Sequence, residues 1–415
     1  SHAVIVNLCV RADGSTGTID NIDLLKYQGS IGAYYRTYLA SGLREEFGWQ
    51  PIRADRNFEI AGVDREVVEL FSKRRAQIEE IAEARGYDTA SSREAAQFAN
   101  LASRGSKEAL APLEQLESGW HRQIADKGLT YGAIWDGADE GARLFHPSRP
   151  SVLPDESPEQ RLDRIVLAAF EQLLATSTVL EERHILQAAF EALQCETDPA
   201  SAKSAVERLT DSGLVVELGR FEDRPLYTTQ AMIDLETGMI AAAVARKGER
   251  EFVSSERVEA ALAKRPSMSA EQRDAVRHAL NADGVSLVEG HAGSGKSYSS
   301  GAIAEAARDA GLQVHTIAPS WKATEVVRSD TDTAEEMARA VAKFLQEAGS
   351  GDRQLGRDAV IILDEGGMVG LRELAEIARI AEEAGAKLVV AGDTRQLKPV
   401  AAGAPMELLR QHLGS

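Results

Sequence analysis

The sequence predicts a multidomain α/β protein whose C-terminal part is a parallel β-sheet with helices on both faces. Three observations lead to this fold class. Short apolar runs alternate with amphipathic helical runs from about residue 268 onward, which is typical of a parallel sheet. A glycine-rich loop joins one strand to a helix, and two acidic residues end a later strand. At 415 residues, the chain is long enough for about two to four domains.

Five segments follow one another along the chain. Residues 1–75 combine a strand-like start, an amphipathic helix and a hairpin-like stretch, which together predict part of an α+β domain. Residues 76–134 are rich in helix formers and predict a helical connector, and residues 135–161 are rich in proline and predict a linker. Residues 162–250 hold three helical runs and then two strand-like runs, the outline of a winged helix, or of a small packing module without DNA contact. Residues 251–415 form the alternating strand and helix region.

Composition narrows the possible functions. Hydrophobic residues make up 43% and charged residues 27%, which is ordinary for a globular protein. The net charge of −18 argues against a generic basic nucleic-acid coat but leaves a local basic groove open. Cys9 and Cys195 lie too far apart to indicate a zinc site or a disulfide framework, so a reducing cytoplasm is the expected setting. The apolar run at 3–10 is too short to span a bilayer, so we expect no membrane insertion.

The stretch "GHAGSGKS" at 290–297 satisfies the pattern GxxxxGK[ST] between a predicted strand and a predicted helix. Glycines let successive backbone N–H groups point inward, and the helix directs the positive end of its dipole toward bound phosphates. Lys296 would reach the β- and γ-phosphates of ATP, and Ser297 would bind Mg²⁺. The nucleotide-binding residues predicted in this loop are Gly290, Gly293, Ser294, Gly295, Lys296 and Ser297.

Two later strand ends carry polar residues that suit the same site. "VIILDE" ends in Asp364 and Glu365, and a buried carboxylate is costly unless it serves an ion or a proton transfer. Asp364 is predicted to join the magnesium shell, and Glu365 to orient the attacking water. "GDTRQLKPV" presents Asp393 and Gln396, and Gln396 could sense the γ-phosphate. A glycine-rich turn and a capped helix are the alternatives, and a GTPase fits less well because the sequence has no NKxD loop.

These motifs resemble those of superfamily 1 helicases of the RecD-like class, in which "GHAGSGKS", "LDEGGMV" and "GDTRQLKPVAAGAP" correspond to motifs I, II and III. The resemblance implies a RecA-like first helicase lobe, in which Gln272 reads adenine. It also implies that "APSWKATE" is motif Ia, which contacts single-stranded DNA through Ser320, Trp321 and Lys322. An aromatic face stacks on a base and a lysine meets phosphate, although Trp321 could instead pack beneath a helix. Many relatives carry Ala where this sequence has Gly366.

Three stretches of the front half read "SHAVIVNLCVRADGSTGTID", "GAYYRTYLASGLREEFG" and "FEIAGVDREVVELFSKRRAQIE". They are similar to the end of the relaxase domain of the TrwC/TraI class of conjugative relaxases. The resemblance covers most of residues 2–410. It implies that His2 is the last histidine of a metal-binding HxH pair, whereas the other histidines and the nucleophilic tyrosines of the family would precede this sequence. Tyr34 and Tyr35 follow that histidine within an amphipathic helix, so we predict that they pack rather than attack DNA.

The resemblance implies an ATP-binding fragment of a conjugative relaxase and 5′-to-3′ DNA helicase. ATP and Mg²⁺ are the expected cofactors, and single-stranded DNA is the expected partner. The arginine fingers of the family lie in a second lobe, so we expect slow hydrolysis by this chain alone. The nucleophilic tyrosines of the family would precede this sequence, so we expect no nicking by it. One alternative is a non-enzymatic module for DNA binding or for recognition by a type IV secretion coupling protein, suggested by residues 76–250. Another is a stand-alone ATPase that acts in trans.

Overall fold

The computed structural model describes residues 9–18, 22–71, 112–145, 156–291, 294–394 and 402–414. The chain divides into two compact units. The first unit comprises Ser1–Val166 and Arg183–Glu207, and the second comprises Leu167–Glu182 and Arg208–Ser415.

The first unit is mainly helical. Its helices are α1 (Ile22–Lys26), α2 (Gln28–Phe47), α3 (Arg65–Phe71), α4 (Leu113–Asp126) and α5 (Tyr131–Leu144), with parts of α6 (Pro158–Leu173), α7 (Glu182–Leu193) and α8 (Pro199–Asp211). It also holds two antiparallel pairs, β1 (Cys9–Val10) with β2 (Thr16–Gly17) and β3 (Pro51–Ala54) with β4 (Asn57–Ile60).

Helix α2 is held by hydrogen bonds to backbone groups distant in the sequence. The Oγ1 atom of the buried Thr37 lies 3.0 Å from the carbonyl oxygen of Phe190, and Arg44 donates to the carbonyl of Cys195 at 2.7 Å. Both contacts reach α7 or the residues just after it. A buried carbonyl that lacks a partner is costly, so these bonds fix α2 against this part of the unit.

Helix α5 occupies the first part of the segment 135–161, which the sequence predicts as a linker. Its start is capped by Thr130, whose side chain accepts from the Ala133 N–H at 3.1 Å. Glycines at 137 and 141 suggest a loop in the sequence, but here they let the helix approach the end of the β3–β4 hairpin. A Cβ added at Gly137 would lie 2.7 Å from the carbonyl oxygen of Gly62. Close packing, rather than flexibility, therefore explains these glycines.

The second unit is built on five parallel strands in the order β10-β9-β11-β12-β8. These strands are β8 (Val285–Glu289), β9 (Gln313–Ala318), β10 (Ala338–Ala340), β11 (Ala359–Leu363) and β12 (Lys387–Gly392). All five residues of β11 and all six of β12 are buried, as expected for central strands covered on both faces. The predicted parallel sheet is confirmed.

Helices flank this sheet. They are α9 (Gln230–Ala245), α10 (Ser255–Ala263), α11 (Ala270–Ala279), α12 (Lys296–Asp309), α13 (Trp321–Thr331), α14 (Val341–Gly349), α15 (Leu371–Ala384) and α16 (Pro405–Leu413). Helices α10, α11 and α12 share one apolar core with the strands, in which Val258, Val276 and Ile303 are each at most 5% exposed. Strands β9 and β12 also contact α14 and α15, respectively.

The segment 162–250 contains the element order expected from its sequence. Helices α6, α7 and α8 are followed by the hairpin β6 (Val215–Phe221) and β7 (Arg224–Thr229), and the short β5 (Leu180–Glu181) pairs with β7. Glu222 and Asp223 both have positive φ, 48° and 60°, as a tight hairpin turn requires. The two-unit division runs through this segment, and its winged-helix interpretation stays a prediction.

Lys387 is fully buried at the start of β12, at the end of the sheet opposite the glycine-rich loop. Its Nζ donates to the Ser286 hydroxyl at 2.9 Å and to oxygens of Asn281 and Asp283, and it lies 5.3 Å from the centre of the Phe252 ring. Burial lowers the pKa of Lys387 from 10.5 to about 7, because the charged ammonium loses its hydration.

The lowered pKa of Lys387 predicts how stability depends on pH. Between the folded pKa of about 7 and the ordinary value of 10.5, the unfolded chain holds a proton that the folded chain does not. The free energy of unfolding therefore rises with pH, by at most about 1.4 kcal/mol per pH unit from this group. Urea unfolding at pH 7 and pH 9 should show this gain in the wild type and not in Lys387→Met. Equal gains in the two proteins would contradict the assignment.

Candidate nucleotide site

Three strand ends meet at the carboxyl edge of the sheet. The backbone N–H of Gly290, just after β8, donates to the carbonyl of Gly392 at the end of β12 at 3.0 Å. Asp364 follows β11, and its N–H donates to the carbonyl of Ile317 in β9 at 2.9 Å. Strand β12 lies between β11 and β8. The sheet thus brings the glycine-rich loop and the acidic pair to one edge, where ligands bind in open α/β sheets.

The loop leads directly into helix α12. Gly295 is the N-cap with φ of 83°, a left-handed conformation that glycine adopts without steric cost. Lys296 is the first helical residue, and its Nζ donates to the Gly290 carbonyl at 2.6 Å across the loop. Ser297 follows in the first turn and is exposed. The helix start therefore offers both backbone N–H groups and a lysine to an anion.

A cavity of about 580 Å³ lies beside this loop. Gln272, Gly290, Ser294 and Lys296 are among the residues that line it. Its volume falls within the range of about 300 to 1,000 Å³ that small-molecule sites occupy. Four of the residues predicted to bind nucleotide therefore surround one cavity.

The acidic pair has unusual electrostatics and backbone geometry. Burial raises the pKa of Asp364, an effect that the neighbouring Lys296 partly opposes. The Glu365 N–H donates to Oδ1 of Asp364 at 2.9 Å. Glu365 has φ of 54°, a left-handed conformation that costs a residue with a side chain of the order of 1 kcal/mol or more. Strain of this kind clusters at functional sites, which agrees with a role for Glu365.

Asp364 and Ser297 fit a magnesium ion carried by a nucleotide. A partly buried carboxylate whose pKa is raised by desolvation gains from a nearby cation. Mg²⁺ is usually held by one or two protein oxygens together with waters and substrate phosphates. Within the described ranges, no group of three or more His, Cys, Asp or Glu side chains could hold a metal ion. A serine hydroxyl and a carboxylate are oxygen donors of the kind that Mg²⁺ takes together with phosphates.

The two glycines after the acidic pair run against β12. A Cβ at Gly366 would lie 2.5 Å from Cγ1 of Val390, and one at Gly367 would lie 2.6 Å from the carbonyl oxygen of Asp393. Both distances are shorter than side chains tolerate. The close contact explains why positions 366 and 367 are glycine in this sequence.

His291 is a residue that the sequence reasoning did not assign. It lies in the loop with its Nδ1 3.5 Å from Oδ1 of Asp393, whose side chain is 6% exposed. Nearby, the Thr394 hydroxyl donates to Glu289, and Glu289 also lies 3.8 Å from Arg410. No sequence pattern signals these contacts, because each joins residues about 100 or more positions apart in the chain.

The residues predicted to contact DNA lie at the start of α13, which follows β9. Ser320 is the N-cap and accepts from the Ala323 N–H at 3.2 Å. Trp321 is 59% exposed and Lys322 is exposed as well. Because β9 neighbours β11, these side chains share the carboxyl edge with the acidic pair. The exposure of Trp321 does not agree with the alternative that it packs beneath a helix.

Some predicted site residues lie outside the described residues, namely His2, Gly293 and Gln396. Their roles stay predictions. Tyr34 lies on α2 with its ring edge against Phe190, the two ring centres being 5.4 Å apart. Among the described residues, no helix combines the length and apolarity that crossing a bilayer requires.

Two family models match the chain. One is described as TrwC relaxase and covers residues 1–127, and the other is described as AAA domain and covers residues 267–414. The second range contains the sheet edge and the cavity described above. The chain therefore joins a relaxase-family segment to an AAA-type segment.

Similar proteins come from the same two groups. The chain is 34% identical over 189 residues to the probable conjugal transfer protein TraA of Sinorhizobium fredii, a match that covers 45% of this chain and 17% of that protein. It is 29% identical over 232 residues to the ATP-dependent RecD2 DNA helicase of Deinococcus radiodurans, covering 51% of this chain and 31% of the helicase. The chain thus spans less than a fifth of the TraA protein.

A solved structure titled "Conjugative Relaxase TrwC in complex with mutant OriT Dna" is 36% identical and covers 31% of this chain and 46% of that chain, with a TM-score of 0.27. The family and relative matches confirm the resemblance to TrwC/TraI-class relaxase–helicases that the sequence predicts.

Proposed function

Because the chain carries a TrwC-relaxase segment followed by an AAA-type segment, we propose that it is part of a conjugative relaxase–helicase and that its C-terminal sheet binds ATP with Mg²⁺. The observation that carries the proposal is that Lys296 of the phosphate loop lines a cavity of about 580 Å³ and also lowers the pKa of Asp364 electrostatically. A phosphate-binding loop near a partly buried carboxylate suits phosphoryl transfer.

Each residue has a chemical role in this proposal. The backbone of the loop and the ammonium of Lys296 bind the phosphates, and Ser297 and Asp364 hold the magnesium ion that accompanies them. Glu365 orients a water molecule and accepts its proton as the water oxygen bonds to the γ-phosphorus. The bond between that phosphorus and the bridging oxygen breaks, and ADP leaves. Gln396 is proposed to sense the γ-phosphate.

Calorimetric titration of the full chain with MgATP tests this function directly. We expect saturable binding with one site per chain. Addition of EDTA should weaken the binding, because Ser297 and Asp364 would hold the magnesium ion that accompanies the phosphates. An absence of binding up to millimolar MgATP would overturn the proposal.

Single-stranded DNA is the proposed second ligand, and ATP-driven 5′-to-3′ movement along it is the proposed task of the whole protein. Trp321 is exposed in the first turn of α13, beside the exposed Lys322. An exposed indole followed by a lysine can stack on a base and meet the adjacent phosphate. The cytoplasm is the proposed compartment for this activity.

Replacing Trp321 with Ala should weaken single-stranded DNA binding about 10-fold or more, because base stacking contributes roughly 1 to 3 kcal/mol per base. Fluorescence anisotropy with a labelled oligothymidine at fixed salt measures this change. Trp120→Ala is the matched control, since Trp120 is also exposed, at 38%, but lies in the first unit. Equal affinities of the two variants would remove Trp321 from the DNA site.

A further inference from the structure

Three aromatic side chains of the first unit pack against one another where the end of α2 meets α5. The rings of Phe47 and Trp49 are stacked, with their centres 5.0 Å apart. Trp135 of α5 meets both rings edge-on, with its centre 4.5 Å from that of Trp49 and 5.7 Å from that of Phe47. Gly48 has φ of 72°, a left-handed conformation that ends α2 between the first two rings. Each ring therefore restricts the movement of the other two.

Phe47, Trp49 and Trp135 together form an aromatic surface that is ordered and yet open to solvent. Phe47 is 45% exposed and Trp135 is 48% exposed. The indole N–H of Trp49 donates to Oδ1 of Asp139 at 2.9 Å, which fixes this ring against α5. Side chains that are already ordered lose little conformational freedom when a ligand covers them. Exposed aromatic groups are also enriched at protein interfaces relative to the rest of the surface.

Acidic residues surround the aromatic surface. Residues 44–49 and 135–143 carry five acidic and two basic side chains. Four of the acidic side chains are exposed, namely Glu45, Glu46, Asp136 and Glu140. Of the two cations, Arg44 donates to the carbonyl of Cys195, and Arg143 is exposed about two turns beyond Trp135 on α5. The neighbourhood of the rings is therefore net negative.

This charge selects among the ligands that bind aromatic side chains. Single-stranded nucleic acid stacks on exposed rings, but its phosphates require cations beside them, as Lys322 follows Trp321. A second copy of the same surface would set the acidic residues of two chains against each other, which is unfavourable. A cationic side chain gains from both features, because it is attracted to an aromatic face and to carboxylates.

We propose that the aromatic surface is a docking site for a basic segment of a partner protein. An arginine or lysine of that segment lies on the exposed face of Trp135, and neighbouring cations of the segment pair with Asp136 and Glu140. The site belongs to the first unit. Its occupancy does not depend on the nucleotide site of the second unit.

Indole N–H resonances of the nitrogen-15-labelled full chain test this docking site. Trp49→Phe, Trp135→Phe and Trp321→Phe assign the signals. The probe is a short peptide of alternating arginine and serine, compared with a glutamate–serine peptide of the same length and with oligothymidine. We expect the arginine peptide to shift the Trp135 and Trp49 signals saturably and to leave the Trp321 signal unchanged. The glutamate peptide and oligothymidine should shift neither Trp135 nor Trp49.

Charge reversal tests the acidic residues without altering the rings. The double variant Asp136→Lys and Glu140→Lys should bind the arginine peptide about tenfold more weakly, because attraction is replaced by repulsion at two positions. The matched control is Glu382→Lys with Glu383→Lys, since both residues are exposed on α15 in the second unit. Its affinity should stay within about twofold of the wild type.

Several outcomes would overturn the proposal. Equal losses in the two double variants, or a peptide-induced shift at Trp321 without one at Trp135, would mean that the peptide binds through net charge alone. A shift of Trp135 by oligothymidine and not by the arginine peptide would make the surface a nucleic-acid site. A dimer that sedimentation detects for the wild type and not for folded Trp135→Ala would assign the surface to a second copy of the chain.

Discussion

Replacing Lys296 with Ala should reduce the affinity for MgATP about 100-fold. Lys296 opens α12, and its Nζ reaches across the loop to the Gly290 carbonyl at 2.6 Å. With nucleotide present, the ammonium can instead bind phosphate oxygens, where a charge-assisted contact in a partly enclosed site contributes about 3 kcal/mol. Calorimetric or fluorescence titration with MgATP measures the difference between the variant and the wild type.

The alanine variant also removes a cation that acts on the acidic pair. Lys296 opposes the rise in the pKa of Asp364 that burial causes, so its loss should raise that pKa further. Lys343→Ala is the control, because it removes the same charge from an exposed position on α14. The Nζ of Lys343 lies 4.0 Å from Oε1 of Glu347. Wild-type affinity in Lys296→Ala would reject the site, whereas a loss in both variants would indicate a general charge effect.

The sequence predicts the C-terminal sheet well because its signals are local and agree with one another. A glycine-rich loop between an apolar strand and a helix has few other structural uses, and the acidic pair ends a strand that is apolar throughout. Once the strands are parallel, their carboxyl ends share one edge. The proximity of Lys296 and Asp364 therefore follows from strand order, although the sequence alone does not give the order β11-β12-β8.

Other features could not be predicted because they depend on contacts between distant segments. Gly137 and Gly141 resemble loop residues in the sequence, but they permit close approach to the β3–β4 hairpin. The left-handed backbone of Glu365 has no sequence signal, since non-glycine residues rarely adopt it. The engagement of Gln272 with Ser294 joins residues 22 positions apart.

The glycines after the acidic pair let the two carboxylates lie close to the end of β12. Gly367 allows the turn to run against the backbone of Asp393, and a Cβ at Gly392 would meet the Gly367 nitrogen at 2.8 Å. Gly392 in turn accepts the N–H of Gly290 at the start of the loop. The carboxylates and the phosphate loop are thus joined through the end of β12. A shift of that strand end would therefore displace both.

Replacing Glu365 with Gln should lower the rate of phosphate release about 10²- to 10⁴-fold, the contribution of a positioned general base. The amide keeps the size of the side chain but cannot take a proton from water. MgATP affinity should change less than about threefold, because the phosphates are held by the loop and Lys296 rather than by this carboxylate. Phosphate release in the presence of single-stranded DNA, measured alongside MgATP titration, separates the two effects.

Glu382→Gln is the matched control for this prediction, since Glu382 is exposed on α15 and the substitution removes the same charge. Its turnover should equal that of the wild type, which would show that the change in net charge is not the cause. If Glu365→Gln retains wild-type turnover, another group must accept the proton, and the strained φ of 54° at Glu365 then serves the close packing of Gly366 and Gly367 instead. If the variant loses MgATP affinity as strongly as turnover, Glu365 acts in binding, because a general base affects the chemical step rather than the ground state.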